Sequence, residues 1–180
     1  MSETGLKIRT LGDQVLRKKA KSVSQVDDRC RDILSAMARL MYDSQGIGLA
    51  APQIGVSESL IVIDCGQGLY KLVNPKIIKK EGRQSMEEGC LSVPGVSIKV
   101  KRAKKVIVKA RDENGKLVSM EAQDLLACVF QHEIDHLNGK LIVDYASLLE
   151  KIKFKKRIAQ LKEKAGNEKP SEPKTKPNKL

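Results

Sequence analysis

The sequence predicts an α+β fold, with mainly antiparallel β-sheets packed around one central helix and a further helix on the C-terminal side. Three observations carry this expectation. Strand-like segments follow one another between residues 59 and 122 with no helical repeat among them, which favours antiparallel pairing over a β-α alternation. The longest wholly apolar run, residues 125–130 (LLACVF), leads directly into a segment of helical character, as expected of a buried helix. From Tyr145 onward, Leu148, Ile152, Ile158 and Leu161 recur at helical spacing among lysines.

Each element has its own signal. Residues 11–19 read as a short helical turn. Val26, Cys30, Ile33, Leu34, Met37, Leu40 and Met41 define an amphipathic helix ending near Ser44, with Asp27 or Asp28 as its N-cap. Residues 46–55 (GIGLAAPQIG) hold many small side chains, and Pro52 bars a central strand position; they read as a loop whose backbone closely approaches something. Residues 59–64 and 69–79 read as strands, the second interrupted at Asn74 and Pro75. Residues 85–95 form a short segment bounded by glycines and a proline. Residues 104–111 and 116–122 make a hairpin turned by Asn114 and Gly115. The central helix is expected at about 122–137, with Asn138 and Gly139 stopping it. A C-terminal helix follows at about 145–164. Residues 1–165 are then a single catalytic domain, and 166–180, rich in Lys and Pro, a disordered tail.

Composition narrows the function classes. A chain of 180 residues with 41% hydrophobic content supports one core, and 3% aromatics without Trp make that core aliphatic. The net charge of +12 is concentrated at one end: residues 151–180 carry eleven Lys or Arg against three Glu, a net +8. Such a segment favours an electrostatic partner such as nucleic acid, though it lacks aromatics for base stacking. No apolar stretch approaches a membrane span and residues 1–20 hold no signal-like core, so no membrane partner and a cytoplasmic location are expected. Cys30, Cys65, Cys90 and Cys128 lack C-x-x-C spacing and are expected as free thiols.

The chemistry begins in the central helix. Residues 132–136 read HEIDH and contain both histidines of the chain. On a helix, His132 and His136 lie one turn apart on the same face and can aim two imidazole nitrogens at one metal ion, with Glu133 placed to take a proton from an activated water. A catalytic site of this kind needs a third protein ligand. Ile142 stands where a third histidine after Gly139 would fall, and of the later candidates Glu150 comes close after the turn and Glu163 lies on a basic, peripheral helix. Cys90, framed by the glycine-containing run 88–92, is the better candidate; Cys30 and Cys65 suit small core positions.

Three stretches, GIGLAAPQ (46–53), EGCLS (88–92) and QHEIDH (131–136), in that order resemble the signature motifs of the peptide deformylase family, over about residues 5–150. The resemblance implies hydrolysis of the formyl group from N-terminal formyl-methionine of nascent polypeptides, releasing formate. It implies metal binding by Cys90, His132 and His136, and general acid and base catalysis by Glu133. It further implies an oxyanion hole made by Gln53 and the backbone N–H of Leu91, and a substrate held by the backbone of Ile47 and Gly48. Fe(II) is the implied metal, with Zn, Ni or Co able to occupy the site. In bacterial members the basic C-terminal helix implies ribosome docking; a solubilising extension is the alternative.

Around the site, Cys128 and Val129 are expected to line a methionine pocket with Ile47. Glu88 is expected to orient a histidine or the substrate backbone. Arg102 is expected either at the substrate or as a solvated charge in the basic run 99–105. Two other readings compete. A metallo-endopeptidase would share HExxH but leave the first two motifs unexplained, and a non-catalytic ribosome- or RNA-binding protein would explain only the basic segment.

Overall fold

The computed structural model describes residues 6–167. Residues 1–5 and 168–180, the latter being most of the expected tail, lie outside the described residues. Seven strands are present among the described residues: β1 (Gly48–Ala50), β2 (Leu60–Ile63), β3 (Tyr70–Glu81), β4 (Gln84–Glu88), β5 (Ile98–Arg102), β6 (Lys105–Arg111) and β7 (Leu117–Gln123). Five of them form an antiparallel sheet in the order β1-β2-β3-β6-β7, and β4 and β5 form a separate antiparallel ribbon. The helices are α1 (Asp28–Asp43), α2 (Asp124–Leu137) and α3 (Leu148–Asn167).

Strand β2 shows why this arrangement forms. Its Leu-Ile-Val-Ile run is buried at every position, and because neighbouring side chains point to opposite faces, both faces need cover. Leu60 and Val62 pack with Leu34, Met37 and Met41 of α1. Ile61 and Ile63 pack with Ala127 and Phe130 of α2 on the other face. Burying one such side chain contributes roughly 1.5–3 kcal/mol, so this strand pins both helices to the sheet. A third cluster joins Ile98 and Val100 of β5 to Leu11, Leu16, Leu141 and Leu161, with Phe154 and Ile158 of α3 packed against it.

Helix ends follow local chemistry. The Asp27 side chain accepts from the Cys30 N–H at 2.9 Å and caps α1; such a cap is worth about 1 kcal/mol. Helix α2 starts at Asp124, whose φ of 51° is a left-handed conformation that Asp tolerates better than most residues. Its N–H donates to the Lys104 carbonyl and its own carbonyl accepts from Gln84 Nε2. Past the other end, Gly139 has φ 72°, and a β-carbon there would come within 2.5 Å of the Arg17 carbonyl oxygen. That close approach locks the position after the helix to glycine.

Several expectations change. Residues 46–55 are not simply a loop: 48–50 form edge strand β1 on β2, and Ala51–Ile54 form a 3-10 turn with Pro52 where no N–H is required. Asn74 and Pro75 do not interrupt β3, which continues through a register shift between Val73 and Lys76. Asn74, at φ 53°, replaces the lost ladder contacts by accepting from the Val23 N–H and donating to the Val23 carbonyl. Strands β4 and β5 were not expected. In β5 the buried Ile98, Val100 and Arg102 alternate with exposed Lys99 and Lys101, so a half-buried strand reads as a basic run. Helix α3 continues through Asn167, the second residue of the expected tail. No helix among the described residues is long and apolar enough to cross a membrane.

Candidate active site

Helix α2 brings His132 and His136 onto one face, with their Nε2 atoms 3.2 Å apart. Cys90 arrives from the turn after β4, its Sγ 3.3 Å from His136 Nε2. The three candidate ligand atoms lie within 4.8 Å of one another. Around a tetrahedral transition metal, ligand atoms at ordinary bond lengths stand roughly 3.3–3.6 Å apart, so this donor set fits one divalent ion. Two ring nitrogens facing each other so closely can share only one proton, whereas a cation between them satisfies both lone pairs. Burial works to lower the His132 pKa, but its contacts with Cys90 and Glu88 carry it well above the ordinary value. Burial holds His136 well below it.

Glu88 closes β4 and points inward. Its Oε2 lies 3.0 Å from His132 Nδ1, which leaves Nε2 as the nitrogen aimed at Cys90 and His136. The Arg102 guanidinium grips the same carboxylate with a two-pronged contact, Nε to Oε1 at 2.8 Å and one terminal nitrogen to Oε2 at 2.9 Å, while the other terminal nitrogen reaches Asp135. Burial alone would raise the Glu88 pKa, but Arg102 and His132 bring it below the usual carboxylate value. Arg102 is therefore neither a solvated charge nor part of the cleft wall. Its side chain is 5% exposed and stands behind Glu88, because an unpaired guanidinium could not remain at that depth.

Glu133 is buried, and its Oε2 has no hydrogen-bond partner among the described residues. Burial pushes its carboxyl up to about 7 against the opposing pull of His132. Gly48 of β1 lies directly alongside: a β-carbon there would overlap Glu133 Oε1 and come within 2.9 Å of Val129 Cγ1. Gln53, 1% exposed, is held by its Oε1, which accepts from the Ala50 N–H at 2.8 Å. This leaves Nε2 facing Ser92 Oγ at 3.2 Å and Cys90 Sγ at 3.7 Å.

These groups meet at the floor of a cleft of about 520 Å³, whose lining includes Ile47, Gly48, Gln53, Glu88, Cys90, Leu91, Cys128, Val129, His132 and Glu133. That volume suits one amino-acid side chain with adjoining backbone. Burial pushes the Cys128 thiol up to about 11, so it forms wall and not nucleophile. Glu150, by contrast, accepts from Ser147 and from the Lys99 N–H at the start of α3 and does not join the cluster. The sequence reading missed Met86 and Leu125 in the cleft wall, and Ser92 and Asp135 behind it. The alternation of Met86 and Glu88 along β4 was the available signal for the first; the others depend on contacts across separate elements.

A sequence model described as polypeptide deformylase matches residues 5–152. The chain is 53% identical over 141 residues to a peptide deformylase of Halothermothrix orenii, an alignment covering 77% of this chain and 92% of that protein. Its structure is similar to that of a peptide deformylase from Legionella pneumophila, with TM-score 0.83, 44% identity, and coverage of 91% and 99% of the two chains. It is also similar to a Synechococcus elongatus peptide deformylase solved in complex with actinonin, with TM-score 0.81, 43% identity, and coverage of 92% and 88%.

Proposed function

The chain belongs to the polypeptide deformylase family, metal-dependent hydrolases that remove the N-formyl group from nascent peptides, and from that premise we propose how its own residues perform the reaction. Cys90, His132 and His136 hold the metal, natively Fe(II), with Zn, Ni or Co able to replace it. A thiolate beside two neutral imidazoles suits a borderline-soft divalent ion. Bound there, such an ion supplies Lewis acidity and lowers the pKa of water from about 15.7 to roughly 7.

The remaining steps belong to the chain. Glu133, buried and with one oxygen unpartnered, accepts the proton of the attacking water and later delivers it to the leaving amine. As the formyl carbonyl becomes tetrahedral, Gln53 Nε2 and the Leu91 N–H donate to its oxygen. Gln53 is already oriented for this by its bond to Ala50, so little reorganisation accompanies the step. The methionine side chain of the substrate enters the apolar wall of Ile47, Cys128 and Val129, joined by Met86 and Leu125. The backbone of Ile47 and Gly48, on or beside an edge strand, pairs with the substrate backbone. Glu88 orients His132 and does not itself need to touch substrate. The enzyme works in the cytoplasm, where nascent chains emerge, and the exposed lysines of α3 offer a docking face to the ribosome.

The observation that carries this reading is the convergence of the Cys90, His132 and His136 ligand atoms beside a cleft lined by Cys90, His132, Gln53 and Glu133. Release of formate from formyl-Met-Ala-Ser by anaerobically prepared protein tests it. Cleavage of internal peptide bonds without formate would sink it in favour of an endopeptidase.

A further inference from the structure

Tyr145 is the last residue of a 3-10 turn (Ile142–Tyr145) just before α3, and at 38% exposed it contributes little to the core. Its hydroxyl nevertheless donates to Asp135 Oδ2 at 2.7 Å, the same oxygen that receives Arg102. Its ring also lies over the Arg102 guanidinium, 4.9 Å from Cζ to ring centroid. Followed inward, the contacts are continuous. Asp135 holds one arm of Arg102, the other two nitrogens of Arg102 fork onto Glu88, and Glu88 Oε2 reaches His132 Nδ1 at 3.0 Å.

We propose that Tyr145 is a positioning residue for the metal centre, fixing the His132 imidazole through Asp135, Arg102 and Glu88. The proposal rests on the reading of His132 as a metal ligand. Each link has a physical reason. A two-pronged guanidinium–carboxylate contact is directional, so the plane of Glu88 follows that of Arg102. Arg102 has its third arm on Asp135, which at 18% exposure is more open to water than Glu88 at 8%. Tyr145 covers that pair with its ring and adds its hydroxyl as a second donor to Asp135 Oδ2. Without the hydroxyl, water competes for Asp135 Oδ2, Arg102 gains freedom, and the imidazole loses a fixed direction. A tyrosine serving only as packing would need no donor, and phenylalanine would serve as well.

The test is release of Ni(II) from the loaded full-length protein into excess chelator, comparing wild type, Tyr145→Phe and His132→Ala, together with thermal midpoints of the metal-free proteins. Outer partners of metal-bound histidines typically change affinity 10- to 100-fold, and a contact further out should give less, so Tyr145→Phe is expected to release nickel roughly three- to tenfold faster. Its KM for formyl-Met-Ala-Ser should stay at the wild-type value, because Tyr145 does not line the cleft. Nickel release at the wild-type rate, with or without a lowered thermal midpoint, would overturn the role of Tyr145. His132→Ala separates the two levels: if it keeps nickel as firmly as wild type, the ligand assignment beneath the proposal fails, whatever Tyr145→Phe does.

Discussion

The Glu88 carboxylate meets His132 at Nδ1, 3.0 Å away, and this contact determines which ring nitrogen faces Cys90 and His136. An imidazole has two chemically similar nitrogens, and only a bond on one of them selects the other. Glu88→Gln should therefore weaken metal binding by roughly 10- to 100-fold. Chelator competition on the loaded protein measures it; unchanged affinity would show that the Glu88 contact does not orient the ligand.

The approach of Gly48 to Glu133 leaves no room for a β-carbon. Gly48→Ala should displace the Glu133 carboxylate or the Val129 side chain while the protein still folds, since the conflict is local and β1 lies at the sheet edge. The expected result is a fall in kcat with metal content retained. Wild-type kcat would mean that β1 shifts without cost.

Glu133 and Cys90 should separate chemistry from metal binding. Glu133→Ala is expected to keep its metal and lose roughly 100- to 10,000-fold in kcat, the range typical of a general acid or base. Cys90→Ala removes one of the three candidate ligands and should leave the purified protein metal-poor. Metal analysis beside formate release reads both, and a fully loaded Cys90→Ala protein would exclude the thiolate from the ligand set.

Gln53 carries a different expectation, because its Nε2 serves the charge that develops on the carbonyl oxygen. Gln53→Ala should lower kcat with little change in KM, by roughly 3–4 kcal/mol of transition-state stabilisation. An effect confined to KM would make Gln53 a binding group only.

Helix α3 cannot simply be deleted to test docking, since Leu161 is buried and Phe154 and Ile158 pack on the third core cluster. Replacing exposed Lys151, Lys155 and Lys156 by Glu keeps that packing and reverses the charge. Ribosome co-sedimentation should fall, and the wild-type association should weaken with salt. Unchanged pelleting would leave the lysines as solubilising charges.

The sequence by itself determined the α+β class, the helix carrying both histidines, the strand at 59–64 and the hairpin from 104. In these segments the pattern of apolar residues has a single period, and local chemistry such as the Asp27 cap agrees with it. The three motifs also named residues that the fold brings to one cleft. Tertiary structure decided what depends on neighbours distant in the chain. Strand β5 was hidden because its solvent face is lysine, so alternation looked like a charge run. β1 is too short to show a period and becomes a strand only by pairing with β2. The fate of Arg102 was settled by the depth at which it lies: a guanidinium that is 5% exposed must be paired, and Glu88 and Asp135, 14 and 33 residues away, are its partners. Local sequence carries backbone preference and hydrophobic period, whereas the direction of a buried charge is set by whichever opposite charge the fold places beside it.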